Sequence, residues 1–323
     1  MRRREFITLF GSAAVWPFAA RAQQSARMPR LGVLLYSTPQ EDPQAKSLQQ
    51  GLRDLGYIDG QNISIEYRFA EGNAERLPDL AADLVRLKPD VLFPIGGDVA
   101  PFVSKATQTI PIIFVMSADP LQLGLVASLA RPGGNATGFT FLQDELASKR
   151  LELLKEVAPR ISRVAFLSNP DHPDNELRVA QRAATALGVH LQPIEMRGPH
   201  DLDGALQAVT KATVDALYVV ASRQTVASIP RIVNYATKNE LPLAGGWGAW
   251  AQAGGLLSYG PNVGEVVRNA ATYVDKIFKG SKPGDLPVQQ PTRFELLINL
   301  RSARALGLSI PESFLLRADK VIE

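Results

Sequence analysis

Polar, aromatic and glycine residues recur in this chain where an apolar run gives way to a loop. They are Tyr36-Ser37, Gly97-Asp98, Ser117, Thr140, Asn169, Ser222-Arg223, Trp247 and Tyr259. Their chemistry is that of holding a small zwitterion. Hydroxyls at Ser37 and Ser117, backbone N–H groups and the Arg223 guanidinium suit a carboxylate, and Asp98 suits an ammonium. Trp247 or Trp250 offers a flat surface to a side chain. Covalent chemistry has no support. There is no cysteine, no Gly-x-Ser-x-Gly elbow, and no metal-ligand spacing among His172, His190 and His200. Gly96-Gly97 before a helix resembles a phosphate cradle, but the pattern is too short to carry that reading.

The elements that must position these residues follow from apolar periodicity. Ile110 to Val115 is a buried strand, and Asp119-Pro120 reads as a helix start with Leu121, Leu125, Ala127 and Leu129 inward. Arg131-Pro132-Gly133-Gly134-Asn135 stops that helix, and Thr137 to Phe141 is a strand. This unit is expected to form the floor and hinge of a ligand cleft. Before it come strands at Arg30–Tyr36, Ile63–Phe69 (alternating, hence half-buried or an edge) and Asp90–Ile95. Helices intervene after Asp42-Pro43, over Glu75–Leu87 and over Val99–Thr107. After it the alternation restarts. Helices are expected over 144–157, 174–187, 201–212, 226–239 and 263–278, with strands at 163–167, 190–196, 216–221 and 241–245. The stretches 245–250 and 253–260, rich in glycine and aromatics, read as loops. Strand–helix alternation in both halves means α/β architecture, two doubly wound parallel-sheet lobes. A chain of 323 residues is typical of two domains.

The N-terminus is read as a targeting segment. Arg2-Arg3-Arg4 precedes an apolar run, Thr8 to Ala20, shorter than the roughly 20 residues of a membrane span. Ala20-Arg21-Ala22 is a small-x-small cleavage box, which places the mature start at Gln23. Arg3-Arg4-Glu5-Phe6-Ile7 resembles a twin-arginine export signal. The chain has 35 Lys+Arg and 32 Asp+Glu; removing the four arginines and one glutamate of residues 1–22 leaves 31 of each. The basic balance thus belongs to the leader and gives no argument for nucleic acid. An exported, Cys-free chain is expected in the periplasm without a lipid anchor.

Several motifs together resemble one family. They are Asp119-Pro120 with Gly124-Leu125-Val126, Arg131-Pro132-Gly133-Gly134-Asn135-Ala136-Thr137-Gly138, Gly254-Gly255-Leu256-Leu257-Ser258-Tyr259-Gly260-Pro261 and Leu286-Pro287-Val288-Gln289-Gln290-Pro291. The stretch from Asn299-Leu300 to Ala305-Leu306-Gly307, with Ile310-Pro311, adds to them. The mature chain resembles the substrate-binding proteins of ABC transporters, TrpX-like. The resemblance implies a type I periplasmic binding protein fold with three crossovers and a ligand between the lobes. It implies lobe 1 as 23–141 plus about 261–284, and lobe 2 as 142–260 plus about 285–323. It further implies a small amino-acid-like solute, membrane permease subunits as partners, a monomer, and no cofactor or catalysis. Relatives often carry an acidic residue and proline after the position of Ser222, where this chain has Arg223-Gln224. The 245–250 stretch also departs from the pattern. A sensor presenting its solute to a membrane receptor has the same cleft, and an enzyme is the remaining alternative.

Overall fold

The computed structural model describes residues 27–323 except 40–41, 142, 173, 199 and 211–212. The expected leader and its cleavage site lie outside the described residues. The first half builds a five-stranded parallel sheet ordered β2-β1-β3-β4-β5. Its strands are β1 (Arg30–Leu35), β2 (Ser64–Phe69), β3 (Val91–Pro94), β4 (Ile112–Met116) and β5 (Ala136–Thr140). The continuous apolar runs become central strands buried on both faces, whereas the alternating β2 is an edge whose residues are all half-buried.

Helix α1 (Pro43–Asp54) begins where the sequence signals it. The Asp42 side chain accepts the Gln44 N–H, and Pro43 occupies the first turn. α2 (Leu77–Arg86) and α3 (Ala100–Ala106) follow β2 and β3.

The connection from β4 to β5 differs from expectation: residues 119–129 form turns rather than a helix. Asp119 does accept the Leu121 N–H, and Leu125 N–H reaches the Pro120 carbonyl, but Gly124 turns into positive φ and the coil stops after one turn. Leu123, Leu125 and Leu129 still pack against the sheet. Their spacing reports burial, and burial alone does not make a helix.

The second sheet has seven strands ordered β12-β11-β10-β9-β8-β6-β7. These are β6 (Arg163–Ser168), β7 (His190–Glu195), β8 (Ala216–Val219), β9 (Leu243–Gly245), β10 (Leu257–Gly260), β11 (Glu295–Asn299) and β12 (Lys320–Ile322). All its pairings are parallel except β10 with β11. Helices α4 (Gln143–Val157), α5 (Glu176–Leu187) and α6 (Leu202–Gln207) come with its early strands. The single helix expected over 226–239 is two, α7 (Arg223–Ala227) and α8 (Ile229–Lys238). They part at Ser228 because Pro230 suits a first helical turn and not an interior. The expected 245–250 loop contains α9 (Gly248–Gln252), whose Trp250 is fully buried in the core.

Helix α10 (Val263–Phe278) returns to the first sheet and packs along α1. The close approach needs Gly51, whose Cβ would lie 2.2 Å from the Arg268 carbonyl. Residues 286–289 still lie on the first sheet, where Thr140 N–H bonds the Gln289 carbonyl and Gln289 N–H that of Gly138. The chain then enters β11, α11 (Leu300–Ala305) and α12 (Glu312–Leu315). It therefore passes between the sheets after β5, after β10 and after Gln289.

Candidate functional site

In parallel α/β sheets, loops after the carboxyl ends of the strands collect at one edge. Here the two edges face each other and touch through named side chains. The Arg223 guanidinium, at the start of α7, donates from Nη2 to the Ile95 carbonyl just after β3. Its Nη1 lies 3.6 Å from Oδ2 of Asp42, the N-cap of α1. His172, in the loop after β6, lies with Nε2 3.1 Å from the Ser117 hydroxyl after β4. Phe141 meets Trp247 edge to face, with ring centroids 6.2 Å apart.

Local sequence explains why Arg223 can reach so far. Ser222 caps α7 and forms a capping box with Thr225, which fixes the direction of the first turn. On the other side Gly96 adopts φ +126°, and a Cβ there would lie 2.7 Å from Arg223 Nε and 2.8 Å from Asp98 Oδ1. Glycine at 96 is thus the seat of the arginine, a role different from cradling phosphate.

Arg223 and Trp247 stand between two spaces. An inner chamber of about 10 Å³ is walled by Gly96, Gly97, Ser117, Phe141, His172 and Gln44. That is room for one water at most. An outer cavity of about 530 Å³ opens on the other side, lined by Tyr36, Ser37, Asp42, Gln44, Val226, Pro230, Ala249 and Asn262 among others. Buried polar atoms without a partner gather here: Gln44 Oε1, Asp98 Oδ1, Arg223 Nε, Gln224 Oε1 and Trp247 Nε1. Buried polar groups are normally paired, so such a concentration marks a place built to meet something.

The residues singled out from sequence divide into three groups. Tyr36, Ser37, Arg223 and Trp247 line the outer cavity, and Gly97, Ser117, Arg223 and Trp247 the inner chamber. Tyr36 donates to the Gly72 carbonyl at 2.5 Å, and burial raises its pKa. Ser37 donates to Asp42 at 2.5 Å. Asp98 is beside Gly96 but lines neither space. Thr140, Asn169 and Ser222 serve the backbone: Thr140 donates to the Ala118 carbonyl at 2.8 Å, Asn169 accepts the Asp171 N–H at 3.0 Å, and Ser222 caps α7. Tyr259 lines neither space; its ring leans on Phe294.

Asp42, Gln44, Gln224 and His172 are additions from the structure. Asp42-Pro43-Gln44 was legible as a helix start, but its position on the cleft was not.

Behind the site runs a buried polar chain. Arg150 pairs with Glu176 at 2.6 Å and bonds the Tyr218 hydroxyl and the Tyr259 carbonyl. Glu176 N–H reaches Asp174 Oδ1, and Asp174 Oδ2 bonds His172 Nδ1 at 2.8 Å. Burial pushes the Glu176 carboxyl up, with Arg150 opposing. For His172 burial acts to lower the pKa, but the Asp174 hydrogen bond and the carboxylates of Asp98 and Glu176 outweigh it, so it is raised. No group of three or more His, Asp or Glu among the described residues could hold a metal. No helix among them is long and apolar enough to cross a membrane.

Comparison with known proteins agrees with this geometry. The family model described as ABC transporter substrate binding protein matches residues 33–322. A tyrosine-binding protein of Clostridioides difficile (strain R20291) is 27% identical over 288 residues, covering 88% of this chain and 82% of its own. A Vibrio cholerae conserved domain protein superposes with TM-score 0.84 at 28% identity, over 91% of this chain and 100% of that one. An ABC domain from Streptococcus pneumonia in complex with L-Trp gives TM-score 0.82 at 26% identity, over 91% and 99% of the two chains.

Proposed function

From the premise that this chain belongs to the family of ABC transporter substrate binding proteins, we propose that it is the exported solute-binding component of an importer. The observation that supports this best is the outer cavity between the two sheets, with unpartnered buried polar atoms contributed from both sides: Gln44 from one, Arg223 and Trp247 from the other. The solute is a small molecule with a carboxylate and an apolar body, groups carried by tyrosine, which one relative is named for binding, and by L-Trp, which another holds in complex. Arg223 and Trp247 meet the carboxylate, and Tyr36 and the apolar wall meet the body.

The lobes close on the solute by a hinge at the three passages between the sheets. We take lobe 1 as residues 23–141 with about 261–284 and lobe 2 as 142–260 with about 285–323, and the bonds of Gln289 to Gly138 and Thr140 support counting the strap up to 289 with lobe 1. The closed, loaded form docks on permease subunits in the membrane. The protein works as a monomer in the periplasm.

Isothermal titration with a panel of amino acids, aromatic acids and sugars tests the reading, with small-angle scattering at saturation. Solute at 100 times its dissociation constant stabilises the fold by about 2.7 kcal/mol. Binding confined to neutral sugars, or an open radius of gyration with solute bound, would count against it.

A further inference from the structure

Resting on the reading that this cleft holds a solute, we propose that the chain recognises its solute by the carboxylate alone: a monocarboxylate with a flat apolar body, for which an α-ammonium group is not required. Two carboxylates line the outer cavity among the described residues, Asp42 beside Arg223 and Glu295 beside Asn262. Asp42 accepts the Ser37 hydroxyl at 2.5 Å and the Gln44 N–H at 2.8 Å, and faces Arg223. Glu295 accepts Asn262 Nδ2 at 3.3 Å. The unpartnered acid oxygen, Asp98 Oδ1, lies off that lining, beside Gly96. An ammonium placed beside Arg223 therefore meets a guanidinium, and the acid that faces it there, Asp42, is already held by Ser37, the Gln44 N–H and Arg223, which disfavours it.

The donors point the other way. Arg223 and Trp247 are each only 7% exposed, so a charge or dipole they meet is largely out of water. Trp247 Nε1 has no acceptor, and the nearest recorded partner of Arg223 Nη1 is 3.6 Å away, beyond hydrogen-bond length. Helices α1 and α10 both begin on the cavity wall, at Pro43-Gln44 and Val263-Gly264, and add the positive ends of their dipoles. Gln44 contributes an amide that can turn to donate to a carboxylate. The wall beyond these groups is apolar, with Pro43, Val226, Ala227, Pro230, Ala249 and Pro261. The inner chamber, at about 10 Å³, has no room for a ligand head group while Arg223 is seated.

The test compares L-phenylalanine, 3-phenylpropionate and 3-phenylpropanol by isothermal titration against the mature chain. These share one body and differ in the ammonium and the carboxylate. We expect 3-phenylpropionate to bind at least as tightly as phenylalanine, and the alcohol at least tenfold more weakly than the acid. Arg223→Ala should weaken the acid at least tenfold more than it weakens the alcohol. Trp247→Phe, which keeps the ring and removes the N–H, should weaken it about threefold. Phenylalanine tenfold tighter than 3-phenylpropionate would overturn the proposal, since the ammonium would then be recognised. An alcohol as tight as the acid would overturn it too. If none of the three binds, the proposal falls as well. Mass spectrometry of small molecules released on denaturation then separates the two readings. A released solute without a carboxylate leaves the solute-binding function standing, whereas no released molecule and no binding across the wider panel removes that function also.

Discussion

His172 Nε2 lies 3.1 Å from the Ser117 hydroxyl, so a ring from the edge of one sheet closes directly on a side chain from the other. The groups facing the ring are Asp174 through Nδ1, the Asp98 and Glu176 carboxylates, and Ser117 itself. Because the folded pKa of His172 is raised above 6.5, the charged ring stabilises the fold fully below that pH. This contribution is lost as pH rises through the higher folded value. Glu176 acts in the same sense: held protonated above its ordinary 4.5 by burial, it lowers stability as pH rises toward about 7. The thermal midpoint should fall as pH rises above about 4.5 in wild type, and His172→Asn should remove the part of that fall that lies above pH 6.5. A slope identical in wild type and variant would remove His172 from the account.

The Arg150–Glu176 pair is fully buried, with side-chain exposures of 0% and 1%. Breaking it from one side leaves a charge without its main partner. Arg150→Met should cost about 3–5 kcal/mol in urea unfolding. Arg150→Met with Glu176→Leu should cost less than Arg150→Met alone, since no carboxylate is then stranded. Equal costs would show that the pair is not coupled.

Gly96→Ala places a methyl 2.7 Å from Arg223 Nε in a backbone conformation that disfavours side chains. The strain is about 1–3 kcal/mol. Arg223 should be expelled from its seat and the unliganded protein should open, raising the radius of gyration in small-angle scattering. In an Arg223→Ala background the same change should leave the radius where that background sets it. No difference between Gly96→Ala and wild type would mean that the seat does not hold the lobes together.

Export is tested apart from binding. Replacing Arg3 and Arg4 by Lys should keep the precursor in the cytoplasm, and the wild-type mature protein should begin at Gln23. Normal export of the double variant would exclude the twin-arginine route and leave secretion itself in place.

By itself the sequence determined most of the alternation of strands and helices, the half-buried character of β2, the start of α1 at Asp42-Pro43 and the family, while the stretch 253–260, read as a loop, holds strand β10. Those features depend on which neighbours in the chain are apolar and on local capping, and both are written in consecutive residues. It misplaced the helix after Asp119, because leucines that pack on a sheet from turns have the same spacing as leucines on a helix. It singled out Trp247 but kept Trp250 as an alternative for stacking; the fold sends Trp250 into the core and Trp247 to the cleft wall. Only the tertiary structure decided the site. Arg223 meets the Ile95 carbonyl 128 positions away, and His172 meets Ser117 across 55. Such pairings are set by which strand ends face each other when two sheets are brought together. No local periodicity records that geometry, so Arg223 could be suspected from its place after a strand while its seat on Gly96 could not.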